Sequence, residues 1–167
     1  MVFKGGFGLN DGFIKIKRAL ISVSNKSKLL DLAALLSKQK IEIISTGGTS
    51  QFLVENGYEA KEVSDLTGFP EILKGRVKTL HPGIHAPILF DRHDVGSVEE
   101  IKKRGFRPID LVVVNLYPFE ERASDKCSEK EIIENIDIGG VALIRAAAKN
   151  FKSVTVLTDV NDYKKIE

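Results

Sequence analysis

Between residues 109 and 116 the chain reads IDLVVVNL, an apolar, β-branched run with polar residues only near its ends. β-Branched side chains are stiff and fit a pleated surface. A run without alternation suits a strand buried on both faces, as in a parallel sheet covered by helices on each side. The rest of the sequence supplies the other pieces of such a sheet. Residues 18–23 (RALISV), 41–45 and 153–157 read as further strands, and 59–63 as an edge strand. Helical patterns lie between them. Leu29, Leu30, Leu32, Ala33 and Leu36 repeat at helical spacing up to Gln39, with Ser24 as the expected N-cap. A helix is expected from the Thr46-Gly47-Gly48-Thr49 turn to Asn56, closed by Gly57, and others over 97–105, 128–135 and 141–149. Strands separated by helices imply right-handed βαβ units. The expected fold is therefore α/β, three-layered and Rossmann-like, with a mostly parallel sheet flanked by helices.

Residues 18–167 are expected to form one domain, since 167 residues with 43% hydrophobic and 29% charged content suit a single core. Residues 1–17 lack the pattern of a signal peptide and read as a flexible leader. Cys127 is the single cysteine, which rules out an internal disulfide and fits a reducing cytoplasm. The net charge of +2 is spread along the chain, unlike the basic footprint of a nucleic-acid binder. No stretch approaches the roughly 18 apolar residues of a membrane span. Residues 64–92 hold Gly68, Pro70, Gly75, Pro82, Gly83 and Pro87 among many apolar residues, without a periodic helix of normal length. Such a segment reads as a substrate-binding loop.

Ligands of parallel sheets bind beyond the carboxyl ends of the strands, and polar, glycine-rich residues recur there. Ser45-Thr46-Gly47-Gly48-Thr49 follows a strand and opens a helix, an arrangement that offers amides and hydroxyls to a phosphate. It reads equally as a capped turn, and it is not a Walker loop, because no Gly-Lys-Ser/Thr follows. Ser22, Ser24 and Lys26 can surround one anion at the end of the first strand, although an N-cap and a solvated Lys would look the same. Arg76 and Lys78, flanked by Gly75 and Thr79, point the same way in an extended chain and suit phosphate oxygens or developing negative charge. Asn115-Leu116-Tyr117-Pro118-Phe119 closes the 109–116 strand, with Tyr117 as a ligand contact or a packing aromatic. Asp137, between two isoleucines and before Gly139-Gly140, is a helix cap or a catalytic carboxylate. Lys149 lies twelve residues further on and is expected to meet Asp137 across one helix. His81 and His85 are four apart, but Pro82 argues against a helix there and no third ligand completes a metal site.

Taken in order, Ser22-Val23-Ser24, Ser45 to Thr49, Thr67-Gly68-Phe69-Pro70-Glu71, Gly75 to Pro82, Asn115 to Phe119, Ile136 to Gly140 and Arg145 to Asn150 resemble the inosine monophosphate cyclohydrolase domain of bifunctional purine biosynthesis proteins. The resemblance covers nearly all of residues 18–163 and implies a methylglyoxal-synthase-like fold. It implies a cytoplasmic hydrolase of the cyclic amidine class that performs the last step of purine synthesis. In that step 5-formamidoimidazole-4-carboxamide ribotide loses water to become inosine monophosphate. Lys78, Tyr117, Asp137 and Lys149 match the family's catalytic residues. Ser22, Ser24, Lys26, Ser45, Gly47, Thr49, Arg76 and Thr79 match its phosphate and ribose shell, and Asn115, Gly139 and Gly140 line its base. The family implies Asp137 as general base, Lys78 and Tyr117 at the formyl oxygen, and Lys149 as the partner of Asp137. It implies no cofactor or metal, a homodimer, and a transformylase domain that this sequence lacks.

Three positions depart from the family's habit: Gly83 where a bulkier residue is common, Ala86-Pro87 where a small residue and Gly are usual, and Asn25 in place of an acidic residue. Pro87 has no amide donor, so a substrate contact through that N–H would be lost. Two rival readings share the fold. One is a methylglyoxal synthase, which leaves Lys78, Tyr117 and the 136–140 set unexplained. The other is a regulatory nucleotide-binding module like that of carbamoyl phosphate synthetase, which binds without turnover.

Overall fold

The computed structural model describes residues 2–3, 14–117 and 127–166. Pro118, Phe119 and residues 4–13 of the expected leader lie outside the described residues. A short antiparallel pair joins β1 (Val2–Phe3) to β2 (Ile14–Lys15). The main sheet has five parallel strands, β3 (Arg18–Val23), β4 (Glu42–Ser45), β5 (Lys61–Glu62), β6 (Leu111–Asn115) and β7 (Thr155–Leu157), in the order β5-β4-β3-β6-β7. Among the described residues the helices are α1 (Leu29–Lys38), α2 (Gly47–Glu55), α3 (Val63–Thr67), α4 (Pro82–Leu89), α5 (Val95–Lys103), α6 (Glu129–Glu134) and α7 (Gly139–Lys149). The α/β architecture expected from the strand and helix patterns is the one present.

The two faces of the sheet explain why β3 and β6 lack alternation. Successive side chains point to opposite faces. Ala19, Ile21, Leu111 and Val113 pack with Leu29, Leu32 and Leu36 of α1. Leu20, Val112 and Val114 pack with Ile84 and Ile88 of α4 and with Leu143 and Ala147 of α7. Both faces are covered, so neither needs polar residues.

The boundary expected at residue 18 falls inside the packed body. Ile16 is buried in the core, and the Lys17 amide donates to Asp110 Oδ2 at 2.7 Å. Ser24 is not the N-cap of α1. That position is Lys28 in the left-handed region (φ 58°), and Ser24 Oγ donates instead to Asn115 Oδ1 and the Leu116 carbonyl. Residues 64–92 are also more regular than expected, holding α3, a 3-10 turn at Leu73–Gly75 and the eight-residue α4. The prolines misled the expectation. Pro82 is the first residue of α4, where its missing amide is no loss and its fixed φ helps, and His81 Nδ1 caps the turn by accepting from the Gly83 amide at 3.0 Å. Pro87 sits inside α4, buried, with its carbonyl accepting from the Ile109 amide at 3.2 Å. Asn150 Nδ2 serves the end of α4, donating to the Ile88 and Phe90 carbonyls at 2.7 and 3.0 Å.

At the amino ends of the strands Asp110 is buried and accepts from three directions. Its Oδ2 takes the Lys17 and Arg18 amides and its Oδ1 takes Arg92 Nη1 at 2.7 Å. Removing one partner of a buried charged pair typically costs about 3–5 kcal/mol. Asp110→Ala is expected to destabilise the fold on that scale, read as a lower urea midpoint; an unchanged midpoint would show the network to be dispensable.

Candidate active site

The carboxyl ends of β3, β4, β6 and β7 open into one cleft of about 1110 Å³. Its floor is built around Asn115, the last residue of β6. Asn115 Oδ1 accepts from the Ser24 amide (2.8 Å), Ser24 Oγ (3.0 Å) and the Asn25 amide (2.8 Å). Its Nδ2 donates to the Asn25 carbonyl (2.9 Å) and to the Tyr163 hydroxyl (3.4 Å). One amide group thus folds the loop after β3 across the end of β6. Tyr163 comes from the C-terminal 3-10 segment Val160–Ile166, and burial pushes its phenol above the ordinary value, with the Asn115 hydrogen bond pulling the other way. Asn25 Oδ1 accepts from the Ser27 amide at 2.9 Å. That role needs only an acceptor, so Asn fills it as an acidic residue would.

The second wall is the start of α2. Thr46 is its extended N-cap, and the Thr49 and Ser50 amides close on the Thr46 carbonyl. The first-turn amides of a helix have no partner within it, which leaves Gly47 and Gly48 as the open donors at the positive end of the helix dipole. Thr49 ties this turn to β3 by donating from its hydroxyl to the Val23 carbonyl at 3.1 Å, and Ser22 Oγ lies 3.1 Å from Thr46 Oγ1. Lys26 stands on the rim with its ammonium 5.6 Å from the Phe52 ring centroid.

The third wall joins residues 74–79 to the start of α7. Thr79 is almost fully buried and packs its hydroxyl against Gly139, where a Cβ would come within 2.6 Å of Thr79 Oγ1. Asp137 Oδ1 accepts from the Gly140 amide at 2.7 Å, and a Cβ on Gly140 would meet Asp137 Oδ2 at 2.7 Å. The paired glycines therefore allow two polar side chains to lie on the backbone of one helix start. Lys78 Nζ is 3.9 Å from Glu71 Oε2, and Arg76 makes a two-point ion pair with Glu134. The Glu134 carboxyl is held below its usual range chiefly by the Arg76 hydrogen bond, and the Arg76 guanidinium is raised for the same reason.

Of the fifteen residues expected from the sequence, twelve line this cleft: Lys78, Tyr117, Asp137, Ser22, Ser24, Lys26, Thr49, Arg76, Thr79, Asn115, Gly139 and Gly140. Three do not. Ser45 is fully buried and its hydroxyl donates to the Ile21 carbonyl at 2.8 Å, inside the sheet. Gly47 serves the turn by its backbone (φ 33°), while Thr46 and Gly48 on either side face the cleft. Lys149 is exposed at the far end of α7, ten residues beyond Gly139 and so roughly 15 Å along the helix. It does not meet Asp137, which accepts from the Gly140 amide instead. Pro87 does not line the cleft either, so its lost donor takes nothing from the site. Gly83 fits its neighbours, since a Cβ there would lie 3.0 Å from His81 Nδ1. The sequence reading missed Thr158 and Asp159, which enter the cleft directly after β7; the rule that ligands gather at strand carboxyl ends points to them.

With this geometry in hand, the comparisons are specific. The family model of the MGS-like domain matches residues 28–142. Over 148 residues the chain is 58% identical to the bifunctional purine biosynthesis protein PurH of Clostridium acetobutylicum, covering 89% of this chain and 30% of that protein. The PurH protein of Clostridium kluyveri is 55% identical over 151 residues, with 90% and 30% covered. A crystal structure of ForH superposes with a TM-score of 0.81 at 36% identity, covering 89% of this chain and 75% of that one. The chain belongs to the MGS-like domain family. Within it, the chain is similar to the PurH proteins and spans 30% of the length of these two relatives.

The close approach at the start of α7 makes a stability prediction. Gly139→Ala forces a Cβ onto Thr79 and is expected to cost about 1–3 kcal/mol, as overpacking does. Gly96→Ala, inside α5 with only ordinary contacts at 3.5 Å or more, is expected to stabilise by up to about 1 kcal/mol. Thermal unfolding of the two variants checks the contrast; an unshifted Gly139→Ala would contradict the packing described.

Proposed function

We propose that the chain is an inosine monophosphate cyclohydrolase, closing the purine ring of 5-formamidoimidazole-4-carboxamide ribotide with loss of water. The observation that carries this reading is the convergence, in one cleft, of a phosphate-type helix start with Lys78, Tyr117 and Asp137. The similarity to PurH proteins over nine-tenths of the chain supports it. A binding module needs the first half of that set and has no use for the second.

The phosphate is assigned to the Gly48 amide with the Thr46 hydroxyl, Lys26 and Arg76 around it. The ribose is assigned to the β3 loop, and the base to Asn115 and the start of α7. An amide nitrogen is a weak nucleophile, so a carboxylate must accept its proton as it attacks the formyl carbon. The hydrogen bond from the Gly140 amide to Asp137 Oδ1 supports this role, since it orients the carboxylate with Oδ2 toward a substrate. The new C–N bond drives an electron pair onto the formyl oxygen, where Lys78 and Tyr117 stabilise the charge and return a proton. Asp137 then gives the proton it took to the carbinolamine hydroxyl, which leaves as water, while the former formamido nitrogen releases its proton to the Lys78–Tyr117 pair. The C=N bond so formed completes the aromatic ring and restores the starting protonation of the site. Because the attack is intramolecular, freezing the two substituents in a reactive rotamer supplies much of the rate. Lys149 has no part in a step taken within this cleft. A homodimer in the cytoplasm is the setting this reading expects.

The decisive assay follows the ultraviolet absorbance change when purified chain meets the formamido ribotide. Lys78→Ala is expected to lower kcat by roughly 10²–10³-fold, the loss typical of one oxyanion donor, with thermal unfolding unaltered. Absence of turnover in the unmodified chain, while inosine monophosphate still raises its melting temperature, would favour the binding-module reading instead.

A further inference from the structure

Four cationic side chains, Lys26, Lys74, Arg76 and Lys78, line the cleft, and Arg76 has a carboxylate seated on its fork. Glu134 is that carboxylate. It lies on α6, 58 positions along the chain from Arg76, and itself lines the cleft. Lys78 by contrast lies 3.9 Å from the Glu71 carboxylate, beyond hydrogen-bond distance.

The Arg76–Glu134 pair does little for the fold. Both side chains are about half exposed, at 58% and 48%, and such pairs contribute about 0–1 kcal/mol. Glu134 is also the last residue of α6, where the helix dipole disfavours a negative charge. The helix has its own stabilisation at the other end, a capping box between Ser128 and Glu131. What the pair does accomplish is local. A guanidinium fork accepts a carboxylate or a phosphate through the same two N–H groups, so Glu134 stands on the donors that a phosphate would use.

We propose that Glu134 is a specificity-determining counter-ion, which holds the Arg76 fork in the ligand-free cleft and yields it to a dianionic phosphate but not to a monoanion. This rests on the reading of the cleft as a phosphomonoester site. A monoanion offers Arg76 no more charge than Glu134 already gives and lacks the advantage of being tethered. A phosphate monoester carries about −1.5 to −2 at neutral pH and three acceptor oxygens, and so gains by the exchange. Once displaced, Glu134 is not stranded, because Lys74 and Lys130 both lie close enough to act on its carboxyl.

The test is a calorimetric titration of the full chain with inorganic phosphate and with acetate, at pH 8 and fixed ionic strength. Glu134→Gln is expected to tighten phosphate binding by about twofold to fivefold, the exchange of one exposed ion pair. Acetate is expected to gain at least as much, so the preference for phosphate narrows. In an Arg76→Ala background the same substitution is expected to change neither affinity. Weaker or unchanged phosphate binding in Glu134→Gln overturns the proposal, as does a gain that persists without Arg76. Phosphate that fails to bind Glu134→Gln at all also overturns it. A parallel titration with inosine monophosphate separates the two readings. If phosphate behaves as expected and the nucleotide does not bind, the counter-ion stands and the cyclohydrolase assignment falls.

Discussion

β6 is held at both ends by its own polar side chains, and the site depends on that. Asp110, just before the strand, takes the Lys17 and Arg18 amides and so fixes β3 against β6 at their amino ends. Asn115, its last residue, takes the Ser24 and Asn25 amides and fixes the loop after β3 at the carboxyl ends. Between the two hooks the register runs unbroken from Ala19 opposite Leu111 to Val23 opposite Asn115. The apolar residues in between supply most of the burial but little direction. A valine run can slide along its neighbour; a carboxylate bonded to two named amides cannot. The polar ends of the run therefore decide where the cleft floor lies.

The same logic extends outwards from the floor. Thr49 fastens α2 to β3, Ser45 fastens β4 to β3 from inside the sheet, and Tyr163 brings the C-terminal segment onto Asn115. Several hydroxyls that look like ligand contacts in the sequence are engaged in this construction. What remains open to a ligand is largely backbone, the amides at the start of α2, together with the long cations around the rim. Such a division favours a preorganised anion site, because fixed dipoles need no reorganisation when charge arrives.

Much of this was legible in the sequence, for identifiable reasons. The strands of the parallel sheet and the longer helices follow from uninterrupted β-branched runs and 3.6-residue periodicity, and α6 falls within the helix expected over 128–135. The cleft residues were legible because polar and glycine-rich strings stand directly after apolar runs. What was not legible depended on where a chain points rather than on which residues it contains. Pro82 and Pro87 look like breakers, yet one starts α4 and the other is accommodated within it. Ser45 and Thr46 are adjacent and chemically alike, but alternation sends one into the sheet and the other to the cleft. Asp137 and Lys149 share a helix in sequence terms, but twelve residues separate them by length as well as by angle. Thr158 and Asp159 carry no motif and are recognisable only once β7 is placed beside β6.

The two halves of the cleft also differ in how they are held, and this bears on the order of events. The floor and the α2 wall rest on strand ends and on a dense set of hydrogen bonds, some buried or half-buried and some exposed. Residues 72–79 rest on less. Leu73, Lys74 and Gly75 follow one another with φ of 52°, 56° and 88°, two of them without the freedom of glycine. A residue held in that region costs of order 1–3 kcal/mol, and among the described residues the segment is tied to other elements by the packing of Thr79 on Gly139 and the exposed Arg76–Glu134 pair. Thr79 therefore acts as its pivot, with Lys78 directly beside it and Arg76 further out. On the cyclohydrolase reading, a phosphate held at the start of α2 would draw on Arg76 of the less firmly held segment, which also carries Lys78, so that binding energy from a remote group would help to place that cation.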